Sequence, residues 1–469
     1  MTQNRNRTAA SLPRRIEPAA TAPQLAAEPD DFNLYYSSAV AGDLGALLGA
    51  PHYSYRFAES KFLATFTAER ATVHPLPMPE YYNSPAALPA ELHAEGKTDV
   101  HLIFRSAEQI RLLKFAWNVC CFAWEFDVIK DHTGIDEHPF LNQKRMLSLC
   151  QEIWVPCSYT KAVLESHGLR NAQLIPAPIP PAAEDPPPLL EALSSLGHLS
   201  VAPLHYNFLR SQAENRAACA ERSSTFLEYM GARLKACDEL RIYLTVLNPE
   251  DFRKNLDAML RAFDLVSRTR RDAVLVVKVL TAASRFHLLD VLCDVIPNKM
   301  ASGTVLRSDN IVFFNDFLSE RELSYLYSIA DFYLCTSLCE GQNLPLLEAM
   351  AHGVVPVSTA NTAMADYIHA ENAIVIRGRL EPNDCVHLAG TLAGRPFSVH
   401  RSGVADIHDA LERSVALSPV RYATLAAGAR HVTRVQYSPQ VIWSAIAARL
   451  AAIRSLTAGK VAAQAAPWH

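Results

Sequence analysis

The sequence predicts an α/β protein of two domains, each a parallel sheet with helices on both faces. Short apolar runs that read as strands alternate with segments of helical spacing. The clearest unit is strand, turn, helix, strand. Phe332 to Cys335 leads into a turn, Leu344, Leu347, Met350 and Ala351 share one helical face, Gly353 stops the helix, and Val354 to Val357 follows. Two proline clusters, Pro180-Pro181 and Pro186-Pro187-Pro188, separate the halves, because successive prolines join neither a helix nor a central strand.

At 469 residues the chain exceeds one ordinary core and suits two. Hydrophobic residues make up 49% and charged residues 20%, an ordinary balance for a globular protein in water. The net charge of −4 argues against nucleic acid as a partner. No stretch is expected to reach the roughly 18 apolar residues of a membrane span. No apolar run follows the N-terminal arginines, so a secretory signal is not expected either. Ten cysteines scatter without a paired C-x-x-C set, which reads as reduced thiols packed in a cytoplasmic protein.

Residues 1–30, rich in Ala, Pro, Thr and Arg, read as a disordered tail. Arg5, Arg7, Arg14 and Arg15 are most simply solvated, with contact to anionic lipid headgroups as the other option. Residues 31–180 form the first domain, with strands at Val100 to Phe104 and Glu152 to Pro156. Ser158 caps a helix ending before Gly168, and Leu174 to Ile179 forms an edge strand. Tyr36 to Ser38 and Gly42-Asp43-Leu44-Gly45 suit its opening loop. Residues 181–238 read as a linker and helical insertion. Residues 239–437 form the second domain, with strands at Arg241 to Leu247, 273–280, 311–314, 331–335, 354–357 and 373–376. Ser319 and Glu322 make a capping box. Within 438–469, Pro439 to Leu456 is an amphipathic helix followed by a tail.

The turn after Cys335 sets Glu340 eight residues before Glu348, with free backbone N–H groups between them. Acids and N–H donors there suit a ligand rich in hydroxyls and phosphate. Asn248 to Asn255 follows a strand and opens a helix whose apolar face is Leu256, Met259, Leu260, Phe263 and Val266. A helix start there favours anions, and Arg253 and Lys254 add cationic donors. Lys278 lies in the apolar strand Val274 to Leu280, where an unpaired ammonium is costly, so its amine is expected at the strand's end in solvent, with an approach to the ligand's phosphates or sugar as the other reading. Trp124 to Asp127 follows an apolar run. Glu125, Asp127, Asp131 and His132 read either as groups orienting an acceptor hydroxyl or as a surface turn. Thr362, Met364, Asp366 and Tyr367 read equally as pocket lining or as packing.

Thr336 to Val357 resembles the E-x7-E signature of the retaining GT-B-fold glycosyltransferases of family 4. That signature reads P/T-S-x-x-E-G-x-G-L-x-x-L-E-A-M-A-x-G-x-P-V; the chain departs from it with Gln342 for a common Phe and Asn343 for Gly. Asn is the side-chain-bearing residue best suited to left-handed backbone. Asn248 to Asn255 resembles the family's R-K-N or R-K-G element. Gln151 to Ser158 resembles its D-x-I-x-x-x-S element, with Gln151 in place of the acid.

The resemblance implies the GT-B arrangement: two Rossmann-like domains with parallel sheets facing across a cleft, and a last helix crossing back to the first domain. It implies Glu340, Arg253 and Lys254 as catalytic residues, and Glu348 as the ribose ligand. Gly341, Gln342, Asn343, Leu344 and Asn248 complete the donor side, and Glu125, Asp127 and His132 stand on the acceptor side. The implied reaction moves a sugar from a nucleotide diphosphate donor, its co-substrate, to a carbohydrate or glycolipid acceptor hydroxyl. Retention, no cofactor and a place in polysaccharide or glycolipid assembly come with it. The chain holds no D-x-D triplet, so leaving-group stabilisation without metal is expected. A cytoplasmic location is expected, with peripheral contact at the inner face of the membrane as an option. The alternatives are a nucleotide-sugar epimerase of the same fold and a non-catalytic GT-B binding subunit.

Overall fold

Two sheets built on parallel strands carry the fold of the computed structural model, which describes residues 29–38, 53–132, 138–183, 186–237, 239–281, 287–301, 303–383 and 396–465. Of the tail expected over 1–30, residues 1–28 lie outside the described residues, as does the expected loop at Gly42 to Gly45, while Pro29–Asp31 forms a 3-10 turn. The first sheet comprises β1 (Phe32–Ser38), β2 (Val73–Pro75), β3 (Thr98–Phe104), β4 (Trp117–Cys121), β5 (Glu152–Val155) and β6 (Ala172–Leu174). Their order is β2-β1-β3-β4-β5-β6, all parallel. Its inner strands are apolar on both faces, as in β3, where Val100, Leu102, Ile103 and Phe104 are all buried. The edge strand ends at Leu174, earlier than the expected run to Ile179.

The second sheet holds β7 (Ser200–Asn207), β8 (Ser224–Thr225), β9 (Arg241–Leu247), β10 (Ala273–Val279), β11 (Val305–Phe314), β12 (Phe332–Cys335), β13 (Val355–Thr359) and β14 (Ile374–Ile376). The order is β14-β13-β12-β9-β10-β11-β7-β8. A short antiparallel hairpin follows, β15 (Arg379–Asn383) with β16 (Phe397–Arg401).

The segment 189–238 is helical as expected at Leu189–Ser195, Gln212–Ala220 and Phe226–Ala236, but β7 between them pairs antiparallel with β11 and extends the second sheet, which was not expected from the sequence. Val201, Ala202 and Leu204 are buried there, and Pro203 obscured the run as a strand.

Six helices matter for the site: α1 (Tyr53–Ala68), α2 (Ser158–Ser166), α3 (Leu256–Thr269), α4 (Glu320–Ser328), α5 (Leu344–Ala351) and α6 (Pro439–Ala465). Ser319 and Glu322 form the reciprocal cap of α4. Gly353 ends α5 with φ +80°, and a Cβ there would run into the Arg430 guanidinium. Helix α6 returns to the first domain. Trp443 meets Phe66 edge-on at 5.6 Å, and Arg449 is ion-paired with the buried Glu152 of β5. The helical run Pro419–Ala458 is, by length and composition only, long and apolar enough to cross a membrane. No such stretch was expected from the sequence. Ile442, Ile446, Leu450 and Ile453 of that run are buried against protein.

The domains meet through a packed seam. Rings pair in a row, Phe122 with Trp124 at 5.7 Å, Trp124 with Phe126 at 5.3 Å, and Phe126 with Phe397 at 4.9 Å. Phe397 meets Phe252 at 6.4 Å, so the row passes from the segment following β4 to the hairpin and on to the turn after β9. Asp366 accepts the Ser158 N–H at 2.7 Å and also its hydroxyl, tying the second domain to the start of α2.

Candidate active site

A cleft of about 1280 Å³ opens between the domains at the C-terminal ends of the strands. Both glutamates of the turn and helix, Arg253, Lys254, Asn248 and Glu125 line it. The turn carrying Glu340 leaves β12 and enters α5 through Asn343, whose φ of 63° is left-handed. Its side chain accepts the Leu346 N–H, so Asn fills the position expected for glycine and caps the helix as well. Gly341 has no room to spare, since a Cβ would lie 3.3 Å from Ala123 and 3.5 Å from the Glu125 carboxylate. Gln342, in place of an aromatic ring, grips the backbone of Ala177 from both ends. It accepts the N–H at 3.1 Å and donates to the carbonyl at 2.8 Å.

Each buried acid has a defined partner. Glu340 accepts from Lys254 at 2.5 Å and from the Ser337 hydroxyl at 2.6 Å, while its own N–H donates to Thr362 at 2.8 Å. Glu348 accepts the Tyr327 hydroxyl at 3.0 Å and is ion-paired with Lys61, which reaches over from α1 of the first domain.

Arg253 and Lys254 sit on a single 3-10 turn, Phe252–Lys254, not in the helix itself. Asn255 in left-handed backbone (φ 54°) separates that turn from α3. Arg253 forks onto Asp251 at 2.9 and 2.6 Å and is paired with Glu125 across the seam. Burial disfavours charge on Arg253, but Glu125 and Asp251 outweigh it and hold the guanidinium proton well above its ordinary value. Lys254 behaves alike: burial opposes its charge, and Glu340 and Asp251 more than restore it. Glu125 is raised, by burial first, with Arg253 opposing.

Several expected residues stand elsewhere. Asp127 does not line the cleft; its carboxylate accepts the Ser398 N–H at 3.0 Å and holds the hairpin to the first domain. His132 does not line it either; it faces Asp131 at 3.2 Å and is half-exposed. Met364 and Tyr367 are buried behind the turn, with the Tyr367 hydroxyl donating to the Gln342 carbonyl at 2.8 Å, while Thr362 accepts the Glu340 N–H and Asp366 holds Ser158 of the first domain. Lys278 does not reach solvent. It is 4% exposed, lines the cleft, and donates to the Asp316 carbonyl at 2.9 Å. Lys61 was missed altogether, since a lysine on a helix carries no signal of what the other domain will set against it.

Residues 241–391 match the family model described as Glycosyl transferases group 1. No curated protein sequence matches the chain. Among solved structures, a mutant of S. aureus TarM in complex with fondaparinux, alpha-GlcNAc-glycerol and UDP is similar at 12% identity and a TM-score of 0.46. The match covers 75% of this chain and 55% of that one, so the chain spans little more than half of that relative's length. An alpha,alpha-trehalose 6-phosphate synthase from Burkholderia multivorans gives 14% identity and a TM-score of 0.49, over 79% of this chain and 73% of that one. The N-terminal domain of a Candida albicans trehalose-6-phosphate phosphatase gives 11% and 0.49, over 94% and 100%.

Proposed function

We propose that the protein is a glycosyltransferase that moves a sugar from a nucleoside diphosphate donor to an acceptor hydroxyl, with retention and without a metal. The observation that carries this reading is the convergence of Glu340, Glu348, Arg253 and Lys254 on one cleft between two Rossmann-like domains. The family-model match over 241–391 supports it.

In this reading Glu348 accepts both ribose hydroxyls, as an ionised carboxylate with two oxygens is suited to do. Glu340 and the N–H groups of Gly341 to Leu344 bond the donor sugar. Lys254 and Arg253 meet the negative charge that grows on the diphosphate as the anomeric bond breaks, and burial makes such fixed cations effective. Their present partners, Glu340, Asp251 and Glu125, keep both protonated until a diphosphate arrives. The acceptor enters from the first domain, where Glu125 stands beside Gly341. A saccharide or glycolipid of a polysaccharide assembly line is the acceptor class proposed.

Equilibrium binding of nucleoside diphosphates to the wild type and to Glu348→Ala tests the reading. A ligand at about 100 times its Kd should stabilise the wild type by about 2.7 kcal/mol. The effect should vanish in the variant. Binding undiminished in Glu348→Ala would remove the ribose assignment, and no binding at all would remove the donor site.

A further inference from the structure

Lys278 is a buried cation in the cleft that the catalytic reading leaves without a task. Burial pushes its amine down to about 8, which leaves it protonated at neutral pH at a cost in stability. A side chain held against that cost in the lining of a ligand cleft is placed for a ligand.

The sheet says which part of the ligand. Residues of β10 alternate between faces. Val274 and Val276 pack in the cluster containing Leu326 of α4 and Leu347 of α5. Leu275, Val277 and Val279 pack in the cluster containing Met259 and Phe263 of α3. Lys278 therefore shares the face of α4 and α5, which carries Glu348. The turn of Arg253 and Lys254 instead leads into α3 on the other face.

A continuous path joins Glu348 to Lys278. Glu348 holds the Tyr327 hydroxyl; Leu323 lies one turn earlier on α4, and Leu318 and Phe317 precede that helix. Asp316, next in line, accepts from Lys278. Leu280, Phe317, Leu318 and Leu323 give this end of the cleft an apolar lining suited to a flat ring. Lys278 stands at its edge, 5.5 Å from the Phe314 ring centroid. An ammonium has three N–H donors and no acceptor. The Asp316 carbonyl takes one, and no other hydrogen-bond acceptor meets Lys278 among the described residues.

We infer that Lys278 selects the nucleobase of the donor: its ammonium donates to a ring carbonyl oxygen, so the cleft takes 4-oxopyrimidine or 6-oxopurine nucleotides over their amino counterparts. Uracil, thymine and guanine present such an oxygen. Cytosine and adenine present an amino group at the same ring position, which sets donor against donor and strands a buried charge. This inference rests on the donor-site reading proposed above.

The test is titration of the full chain with matched pairs, UDP against CDP and GDP against ADP, in the wild type, Lys278→Met and Lys278→Gln. The wild type is expected to favour the keto member of at least one pair by about ten-fold or more, with that ratio falling below about three-fold in both variants. Methionine removes a buried charge at similar volume, so a melting temperature at or above wild type is expected and confirms folding. Equal affinities within both wild-type pairs would overturn the inference, as would a ratio untouched by either variant. A uniform loss across all four nucleotides would overturn it too, by making Lys278 a phosphate contact. Each of these leaves the donor site standing, whereas no binding of any nucleotide removes both.

Discussion

Lys61 and Glu348 are ion-paired across the interdomain cleft, one on α1 of the first domain and the other on α5 of the second. Both are largely buried, at 12% and 11% side-chain exposure, so the pair is a structural commitment as well as an electrostatic one. The first domain thereby reaches the carboxylate that the proposed function gives to ribose. Lys61→Met should lower stability by about 3 kcal/mol, since it leaves a buried carboxylate without its cation. Lys61→Met with Glu348→Gln should recover most of that loss. Thermal unfolding of the two singles and the double checks it; strict additivity would mean that the residues do not act as a pair.

Lys254 touches Glu340, the acid that the proposed function sets against the donor sugar. Lys254→Ala should reduce kcat by about 10²–10³ while changing KM far less, because the charge it meets develops only as the bond breaks. Steady-state kinetics with the donor identified by binding reads this directly. A variant with the wild-type kcat would remove the leaving-group role.

Glu152 is buried in β5, where it accepts from the Trp154 indole at 3.1 Å and pairs with Arg449 of α6. Arg449→Leu should cost about 3 kcal/mol by stranding that carboxylate. Glu152→Gln in the same chain should restore much of it. Denaturant unfolding followed at a first-domain probe is the measurement, and an unaltered midpoint in Arg449→Leu would show that α6 docks through its apolar face alone.

His101 is fully buried, bonded to Asn118 at 2.9 Å and Ser37 at 3.0 Å. Burial drives its imidazole down to about 4, with Asn118 opposing and Arg105 assisting. Below pH ~6.5 the unfolded chain takes up a proton that the native state refuses until about pH 4. Its contribution is therefore whole above pH ~6.5 and is lost on acidification towards pH 4, by about 3 kcal/mol in total. His101→Gln should flatten that part of the stability profile. Melting temperatures between pH 7 and pH 4 for both proteins give the comparison, and parallel curves would reject the assignment.

The second domain's core was legible because its signals are local. A strand, a turn with Asn343 and a helix that stops at Gly353 can each be read within a dozen residues, and the strand Arg241 to Leu247 appears at its expected bounds. What escaped depends on partners distant in sequence. β7 contains Pro203, which reads as a break until β11 is seen beside it. Lys278 reads as a charge seeking solvent because a strand pattern gives its face and not what covers the strand's end. Asp127 is an acid near a tryptophan in sequence, and only the hairpin of Phe397 to Arg401 shows that its carboxylate serves a backbone N–H. Lys61 lies on a helix whose pattern says nothing about the opposite domain.

The return of α6 makes the first domain discontinuous along the chain. Cutting at the proline clusters would yield an N-terminal fragment that has lost the flank formed by Trp443, Ile446 and Arg449, leaving Phe66 without its ring partner and Glu152 without its cation. The piece suited to separate expression is the inner one, residues 186–437. To obtain the outer domain by itself, Pro439–Ala465 has to be spliced on after residue 183. Swapping domains between related proteins has to follow the same rule: two junctions, not one.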